Sequence, residues 1–317
     1  MKITMLEPLG VSAERIEELA AGFLAAGHSF KAYDTVEHDV EKLKERSEDA
    51  DVLIIANNPL PSEVIANAKN LKYISVAFVG IDHIGTDVCK ERGIPISNAA
   101  GYCTDAVAEL VVGLTIDCLR NVSACNTVIR SGGTKNGLVG FELAGKTVGI
   151  IGTGAIGCRT AEIFKAFGCK LVGYNRSERP RARELGIELM PLDEVLKVSD
   201  IVSIHTPLTP ETTKLINRDK IALMKPGAIL INTARGAVVD SEALAEALNE
   251  GRLGGAGIDV FETEPPLAED HPLLHAKNVV ATPHVGFATK ESIDRRAEIT
   301  FNNVYQWFQG EIQNQML

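Results

Sequence analysis

A glycine-rich turn between an apolar strand and a helix constrains the fold of this chain more than any other feature. Residues 146–151 (KTVGII) have the composition of a buried strand, and they lead directly into GTGAIG at 152–157 and a helical pattern over 158–167. In that order, GxGxxG is the fingerprint of a dinucleotide-binding βαβ unit. Gly152 allows the tight turn, Gly154 lets the backbone approach a pyrophosphate, and Gly157 lets the helix pack closely on the strand.

The rest of the chain alternates short apolar runs with helical stretches, from a strand at 3–6 to a final helix at about 289–309. Buried parallel strands that alternate with helices are typical of α/β proteins. With 317 residues, the chain is longer than one usual domain. The pattern therefore predicts two doubly wound parallel-sheet domains that divide near residues 99–104, with the last helix returning to the first domain.

Charge and cysteine content exclude several classes of function. The formal net charge of −10 argues against a nucleic-acid or anionic-membrane partner, and no apolar run is long enough to predict a transmembrane helix. The first residues lack the apolar region of a signal peptide. Six cysteines without a CxxC pair or a zinc-like Cys/His spacing indicate reduced thiols and no metal site. These features predict a cytoplasmic location.

The end of the second strand of the nucleotide-binding unit indicates which coenzyme the chain binds. An acidic residue that binds the ribose 2′-hydroxyl of NAD is expected there, but the chain has Asn175 followed by Arg176. Without the carboxylate a 2′-phosphate is not repelled, and Arg176 can bind it. Asn175 can also bind the ribose, so the sequence favours NADP only slightly and leaves NAD open.

Three further segments place a chemically useful residue just after an apolar strand. These segments are ILINTARGAVVD at 229–240, GIDVFETEPP at 257–266 and VATPHVG at 280–286, and the residues are Arg235, Glu264 and His284. In an open α/β sheet, ligands bind at the carboxyl ends of the strands. Taken singly, His284 has an alternative as a structural loop histidine, and Arg235 has one as a partner of Asp240. As an ordered set they favour an active site.

Together with VAFVGIDHI at 76–84, AVAE at 106–109 and HTPL at 205–208, these motifs resemble the D-isomer-specific 2-hydroxyacid dehydrogenase family. The resemblance covers nearly the whole chain. It implies a substrate domain of residues 1–99 and 287–317, an NAD(P)-binding Rossmann domain of residues 100–286, and an active-site cleft between them. It also implies a homodimer formed through a helix at about 104–129 and the loop at 131–140.

The resemblance also implies a role for each matched residue. His284 matches the acid/base histidine that protonates the 2-oxo oxygen, Glu264 matches its carboxylate partner, and Arg235 matches the arginine that holds the substrate carboxylate and carbonyl. The backbone at Val79 and Gly80 matches a loop that also holds this carboxylate. The remaining matches are coenzyme-lining positions: Thr104, Ala155, Ile156, Thr206, Pro207, Thr212, Thr233 and Asp259.

Two departures from subgroups of this family narrow the substrate. Phosphoglycerate dehydrogenases carry a basic residue after the strand that ends here at Ala56, where this chain has Asn57 and Asn58. Phosphite dehydrogenases carry a lysine where this chain has Val79. A short 2-oxo acid remains, such as hydroxypyruvate, glyoxylate, pyruvate or a branched homologue, with Asn57 in the side-chain pocket. An NAD(H)-sensing binding module with little turnover stays open, because some corepressors resemble the same family.

Overall fold

Parallel pairing organises both sheets of the protein. The computed structural model describes residues 1–177 and 179–317, and every pair of named strands in these residues is parallel. The described chain forms one unit of Met1–Cys103 with Thr289–Leu317 and a second unit of Thr104–Ala288. The doubly wound α/β class predicted from the sequence is confirmed. The binding roles assigned to the two units stay predictions.

The first unit contains a five-stranded sheet in the order β2-β1-β3-β4-β5. Its central strands are buried at every residue, which explains their continuous apolar sequences. The strands are β1 (Lys2–Met5), β2 (Ser29–Ala32), β3 (Val52–Ile55), β4 (Tyr73–Val76) and β5 (Ile96–Asn98). The helices are α1 (Ala13–Ala25), α2 (Val40–Ser47), α3 (Ser62–Asn67), α4 (Thr86–Arg92) and the final helix, α12 (Lys290–Phe308).

Aromatic packing attaches α12 to the first unit. A capping box formed by Thr289 and Ser292 begins the helix. The fully buried ring of Phe301 stacks on Phe23 of α1, with centroids 5.6 Å apart. After the helix, the chain returns beside β5 in an antiparallel direction, where the Met316 N–H donates to the Ile96 carbonyl at 2.8 Å. This last segment covers an edge of the sheet that would otherwise be unpaired.

The second unit contains a seven-stranded sheet in the order β12-β11-β10-β9-β6-β7-β8. Its strands are β6 (Thr147–Ile151), β7 (Lys170–Tyr174), β8 (Glu188–Leu189), β9 (Ile201–Ile204), β10 (Ile229–Asn232), β11 (Gly255–Ile258) and β12 (Val279–Ala281). Its helices are α5 (Thr104–Arg120), α6 (Val122–Arg130), α7 (Ala155–Ala166), α8 (Pro180–Glu184), α9 (Leu192–Val198), α10 (Arg218–Leu223) and α11 (Ser241–Asn249). None of the described helices is long and apolar enough to cross a membrane.

The predicted continuous helix at about 104–129 is wrong in one respect, because the structure divides it into α5 and α6. The break lies at Asn121, which has a left-handed backbone with φ of 54°. Asparagine adopts this conformation more readily than most residues, and a residue in the left-handed conformation cannot continue a right-handed helix. No residue of α6 is buried within the chain, so its apolar side chains remain accessible.

Candidate active site

The predicted site residues of the second unit follow strands that end at one edge of its sheet. Because all seven strands are parallel, their carboxyl ends share that edge. The strand order reverses direction around β6, where β9 lies on one side and β7 on the other, which is the switch point at which such folds bind ligands. In sheet order, the residues beyond the strand ends are His284, Asp259, Arg235, Thr206, Gly152 and Asn175.

The three glycines of the GxGxxG turn differ in the space that surrounds each of them. Gly152 has φ of 97°, and a Cβ added there would lie 2.6 Å from the His205 carbonyl oxygen. A Cβ on Gly157 would lie 2.1 Å from the Gly152 carbonyl oxygen. At Gly154, by contrast, a Cβ would have no described atom within 4 Å. The first and third glycines are therefore required by the fold, and the second leaves open space beside the N-terminus of α7.

Buried hydroxyl groups at this edge show that the site fits a polar ligand. In the described residues, the hydroxyls of Thr153, Thr206 and Thr233 are buried and have no hydrogen-bond partner. Folded proteins rarely bury a hydroxyl without a hydrogen-bond partner. Three such hydroxyls at one sheet edge therefore indicate that a bound ligand supplies their partners. A nicotinamide dinucleotide carries many hydroxyl, amide and phosphate groups. These residues, together with the N-terminal N–H groups of α7, therefore fit such a coenzyme.

Other predicted coenzyme-lining residues use their polar atoms within the chain. The Asn175 amide accepts the Thr153 N–H at 3.3 Å and donates to the Ser177 carbonyl at 2.5 Å, so it braces the glycine-rich turn. The Thr212 hydroxyl donates to the Pro207 carbonyl at 2.7 Å and closes the loop after β9. Thr104, Ala155 and Ile156 lie in the first turns of α5 and α7, and the Arg176 side chain is exposed.

The surroundings of His205 indicate a structural role for this residue. Its Nε2 lies 2.8 Å from the Ser203 hydroxyl, and its carbonyl contacts the glycine-rich turn. Burial lowers the pKa of His205 to about 3, so the ring is neutral at physiological pH. This histidine therefore supports the turn and is a poor candidate for proton transfer.

His284 and Glu264 form a close pair of titratable groups among the predicted site residues. The His284 Nδ1 lies 2.7 and 2.9 Å from the two Glu264 carboxylate oxygens. The imidazole is 11% exposed, whereas the glutamate side chain is 61% exposed. His284 also has a left-handed backbone, with φ of 57°, which is uncommon for a residue with a side chain. Such strain persists only where the surroundings hold it.

Asp259 supplies the interactions that hold the His284 backbone. It is fully buried, and its carboxylate accepts hydrogen bonds from the Thr282 hydroxyl at 2.6 Å and from the Val285 and Gly286 N–H groups at 2.8 Å. The His284 N–H donates to the Asp259 backbone carbonyl, also at 2.8 Å. The resemblance predicts only a coenzyme-lining position here. The structure adds a bracing role, because the loop that carries His284 wraps around this carboxylate.

Asn232 organises the loop that carries Arg235. Its Oδ1 accepts the Ala234 N–H and its Nδ2 donates to the Arg235 carbonyl, both at 3.0 Å. A Cβ on Gly236 would lie 1.9 Å from the Phe261 carbonyl carbon, so this loop contacts the one that leads to Glu264. Sequence reasoning missed Asn232, although an asparagine that ends a buried strand is a detectable signal.

Asp240, the alternative partner considered for Arg235, is used elsewhere. Its carboxylate caps α11 by accepting the Ala243 N–H at 3.2 Å, and it pairs with Lys214 at 3.1 Å. The backbone hydrogen bond to Ala243 and the lysine together lower the pKa of Asp240 despite its partial burial. Arg235 itself is half-buried, and its guanidinium donates to the Ala234 carbonyl at 2.8 Å.

The predicted substrate residues of the first unit lie at the carboxyl end of its own sheet. Val79 and Gly80 follow β4 and are half-buried, and neither of their N–H groups has an acceptor among the described residues. Asn57 follows β3, in a loop braced by Glu7, whose buried carboxylate accepts the Ala56 N–H at 2.7 Å. Burial raises the pKa of Glu7, against the opposing effect of these hydrogen bonds.

The cysteines form no disulfide and are poor nucleophiles where they are buried. Burial raises the pKa of Cys89 to about 11 and the pKa of Cys118 to about 12, so both thiols are protonated at neutral pH. In residues 1–177 and 179–317, no three His, Cys, Asp or Glu side chains are grouped so that they could hold a metal ion.

Comparison with known proteins identifies the family. The profile of the D-isomer specific 2-hydroxyacid dehydrogenase NAD binding domain matches residues 112–286, which is more than half of the chain. The chain belongs to this family. The resemblance drawn from the sequence motifs is therefore confirmed, and the residues that match the NAD binding domain of the family make up almost all of the second unit.

Several curated relatives of this family member are 2-oxo acid reductases by name. Glyoxylate reductase of Thermococcus litoralis is 41% identical over 85% of this chain and 84% of its own length. Hydroxypyruvate reductase of Thermotoga maritima is 41% identical over 81% of this chain and 85% of its own length. D-3-phosphoglycerate dehydrogenase of Methanocaldococcus jannaschii is 37% identical over 98% of this chain, which spans only 58% of that protein.

Solved structures of similar proteins contain either form of the coenzyme. An acyclic imino acid reductase in complex with NADPH and D-Arg is 29% identical, with a TM-score of 0.90 over the whole of both chains. D-lactate dehydrogenase of Aquifex aeolicus in complex with NAD and lactic acid is 30% identical, with a TM-score of 0.84 over 98% of this chain and 96% of that one. The comparison therefore shows a nicotinamide coenzyme without distinguishing NAD from NADP.

We expect Asp259→Asn to destabilise the second unit by about 1–3 kcal/mol, because one of three buried donors would then face an amide NH₂ group. Urea-induced unfolding measures the change. Asp270→Asn is the matched control, since Asp270 is exposed and the same substitution should leave the midpoint unchanged. Equal midpoints for the Asp259 variant and the unmodified protein would contradict the bracing role.

Proposed function

We propose that this family member is an NAD(P)H-dependent reductase of short 2-oxo acids that forms D-2-hydroxy acids. The observation that carries the proposal is the His284–Glu264 pair, held in a constrained loop at the same sheet edge as Arg235. A histidine that is hydrogen-bonded to a glutamate can protonate a carbonyl oxygen of a substrate, and an arginine on a neighbouring loop can bind the substrate carboxylate beside that carbonyl. The names of the glyoxylate and hydroxypyruvate reductases among its relatives support the substrate class.

Each residue has a distinct part in the proposed reaction. The Glu264 carboxylate accepts the His284 Nδ1–H, so it orients the ring and stabilises the imidazolium. His284 then donates its Nε2 proton to the 2-oxo oxygen. Arg235 binds the substrate carboxylate and polarises the carbonyl, since a guanidinium offers paired donors. Bound NAD(P)H would supply the hydride that the carbonyl carbon accepts.

The residues of the first unit that the resemblance links to the substrate carry a proposal of their own. We propose that the N–H groups of Val79 and Gly80 bind the substrate carboxylate, because neither N–H has an acceptor among the residues that the structure describes. Asn57 would face the substrate side chain. The buried Glu7 carboxylate behind this loop, and the absence of a basic residue at positions 57 and 58, disfavour a phosphorylated substrate. Glyoxylate and hydroxypyruvate are therefore favoured over phosphorylated acids.

The decisive experiment is steady-state oxidation of NADPH and NADH against a panel of 2-oxo acids. We expect turnover of glyoxylate or hydroxypyruvate, and we expect His284→Ala to lower kcat by about 10²–10⁴ because it loses the general acid. Binding of NAD(P)H to this variant, followed by fluorescence titration, should be unchanged. His275→Ala, which removes an exposed histidine, is the control.

Full activity of the His284 variant would refute the mechanism. Tight NAD(H) binding without turnover of any acid on the panel would refute the reductase and favour the nucleotide-sensing module instead. Turnover of imines but not of 2-oxo acids would change the substrate class while keeping the fold and the coenzyme.

We propose a modest preference for NADP, carried by Arg176 after β7. Its side chain is exposed at the end of the strand where a carboxylate would repel a 2′-phosphate, and Asn175 there is neutral. Arg176→Ala should raise the KM for NADPH about tenfold, because it loses a charge-assisted hydrogen bond, and leave the KM for NADH within about twofold. Arg183→Ala on nearby α8 is the control. An equal effect on both coenzymes would contradict the preference.

We propose that two copies associate through α6 and the segment that follows it. Val122, Ile129, Val139 and Phe141 are large apolar residues with exposures of 51%, 68%, 84% and 68%. A concentration of exposed apolar side chains is typical of a protein–protein interface.

The proposed cytoplasmic location rests on the composition, and the six free thiols are compatible with it.

Sedimentation at micromolar concentration measures the association. We expect the mass of a homodimer for the unmodified protein and a monomer near 34 kDa for Ile129→Asp, because a buried charge opposes association. Thr127→Asp, on another face of α6, is the matched control and should remain dimeric. A mass of 34 kDa for the unmodified protein would refute a stable dimer.

A further inference from the structure

A buried asparagine at the end of β5 contacts the loop proposed to bind the substrate carboxylate. Asn98 is 4% exposed, and its Nδ2 donates to the Val79 carbonyl at 2.7 Å. Its Oδ1 accepts the Ala100 N–H at 3.1 Å. These two partners assign the amide orientation without ambiguity, since a carbonyl cannot donate and an N–H cannot accept.

The Asn98 side chain extends the ladder between β4 and β5 beyond its last backbone rung. Val76 and Asn98 are paired in register, and the next bond runs from the Ala99 N–H to the Phe78 carbonyl at 2.9 Å. The following carbonyl, that of Val79, has no backbone donor opposite it among the described residues and receives the Asn98 amide instead. The side chain therefore holds the peptide at which the strand gives way to the loop.

Holding the Val79 carbonyl also fixes the direction of the next N–H. The C=O and N–H of one trans peptide point in opposite directions, so a carbonyl directed at Asn98 directs the Gly80 N–H away from it. Gly80 is half-buried, and its N–H has no acceptor among the described residues. If this peptide rotated, the Gly80 N–H would point elsewhere and the Val79 carbonyl oxygen would take its place. A carbonyl oxygen at that position repels an anion.

The backbone of Asn98 is hydrogen-bonded to the last helix and to the segment that follows it. Its backbone carbonyl accepts the Asn303 Nδ2 at 2.9 Å, and its N–H donates to the Asn314 carbonyl at 3.1 Å. The Asn314 Nδ2 donates in turn to the Asn303 Oδ1 at 2.9 Å. Asn303 is fully buried. A chain of amides thus links the final residues to the Val79 peptide.

From these contacts we infer that Asn98 is a positioning residue for substrate binding, and that it keeps the Gly80 N–H directed at the carboxylate of a 2-oxo acid. The inference rests on the proposed function, because it assumes that the Val79–Gly80 backbone binds that carboxylate. It assigns to Asn98 no contact with the substrate. Its effect is confined to recognition of the anion and does not extend to coenzyme binding.

The test compares Asn98→Ala with Ser97→Ala in the full chain. Ser97 precedes Asn98 on β5, is fully buried, and donates to the Gln313 carbonyl at 2.6 Å without contacting the loop. We expect Asn98→Ala to raise the KM for the 2-oxo acid about tenfold, with kcat changed less than about threefold and the KM for NAD(P)H unchanged. Ser97→Ala should leave all three parameters unchanged.

Binding of oxamate, an unreactive isostere of a 2-oxo acid, provides a second readout that does not depend on turnover. In the presence of coenzyme, calorimetry should show about tenfold weaker oxamate binding for Asn98→Ala and unchanged binding for Ser97→Ala. If Asn98→Ala fails to fold, Asn98→Asp replaces it. That variant keeps the volume and the acceptor for Ala100 but loses the donor, so the same weakening is expected.

The outcomes separate this inference from the proposed function. An unmodified protein that neither reduces 2-oxo acids nor binds oxamate would refute the proposed function. An active unmodified protein whose Asn98 variants bind oxamate with full affinity would refute the positioning role alone. Equal losses in the Asn98 and Ser97 variants, or a matching loss of NAD(P)H affinity, would show that Asn98 has only a general structural role.

Discussion

Parallel strand pairing is the constraint on which the candidate site depends. In a parallel sheet every carboxyl end lies at the same edge, so loops that are distant in sequence meet there. In the second unit this edge carries the glycine-rich turn after β6, the Arg235 loop after β10 and the His284 loop after β12. The same rule places Asn57 and Val79 at one edge of the first unit, after β3 and β4.

Buried polar side chains hold each of these loops in a defined conformation. Asp259 accepts three donors from the His284 loop, Asn232 closes the turn before Arg235, Glu7 holds the loop after β3, and Asn98 holds the peptide after Val79. Each lies at or near the end of a buried strand, where the ladder stops and backbone groups need new partners. Because a buried polar group without a partner is costly, such a brace favours one loop conformation over others.

The order of motifs predicted much of this arrangement. The strand–GxGxxG–helix sequence predicts the turn with its three different glycines, and the apolar runs before Arg235, Glu264 and His284 predict a common sheet edge. Local patterns carry this information because strand burial and turn geometry depend on neighbouring residues. The break between α5 and α6 was not predicted, because Asn121 is compatible with a helix and its left-handed backbone depends on what packs around it.

The sequence by itself determined the fold class, the family and the residue types that the proposed chemistry needs. The tertiary structure decided which polar atoms form hydrogen bonds within the described residues and which do not. The Asp259 carboxylate is enclosed by a loop and the Asn175 amide is bound to a turn, whereas the hydroxyls of Thr206 and Thr233 are buried with no partner among these residues. The physical reason is that a hydrogen bond depends on distance and direction between groups that are far apart in the chain. A motif specifies the donors and acceptors present, and only packing selects the pairs they form.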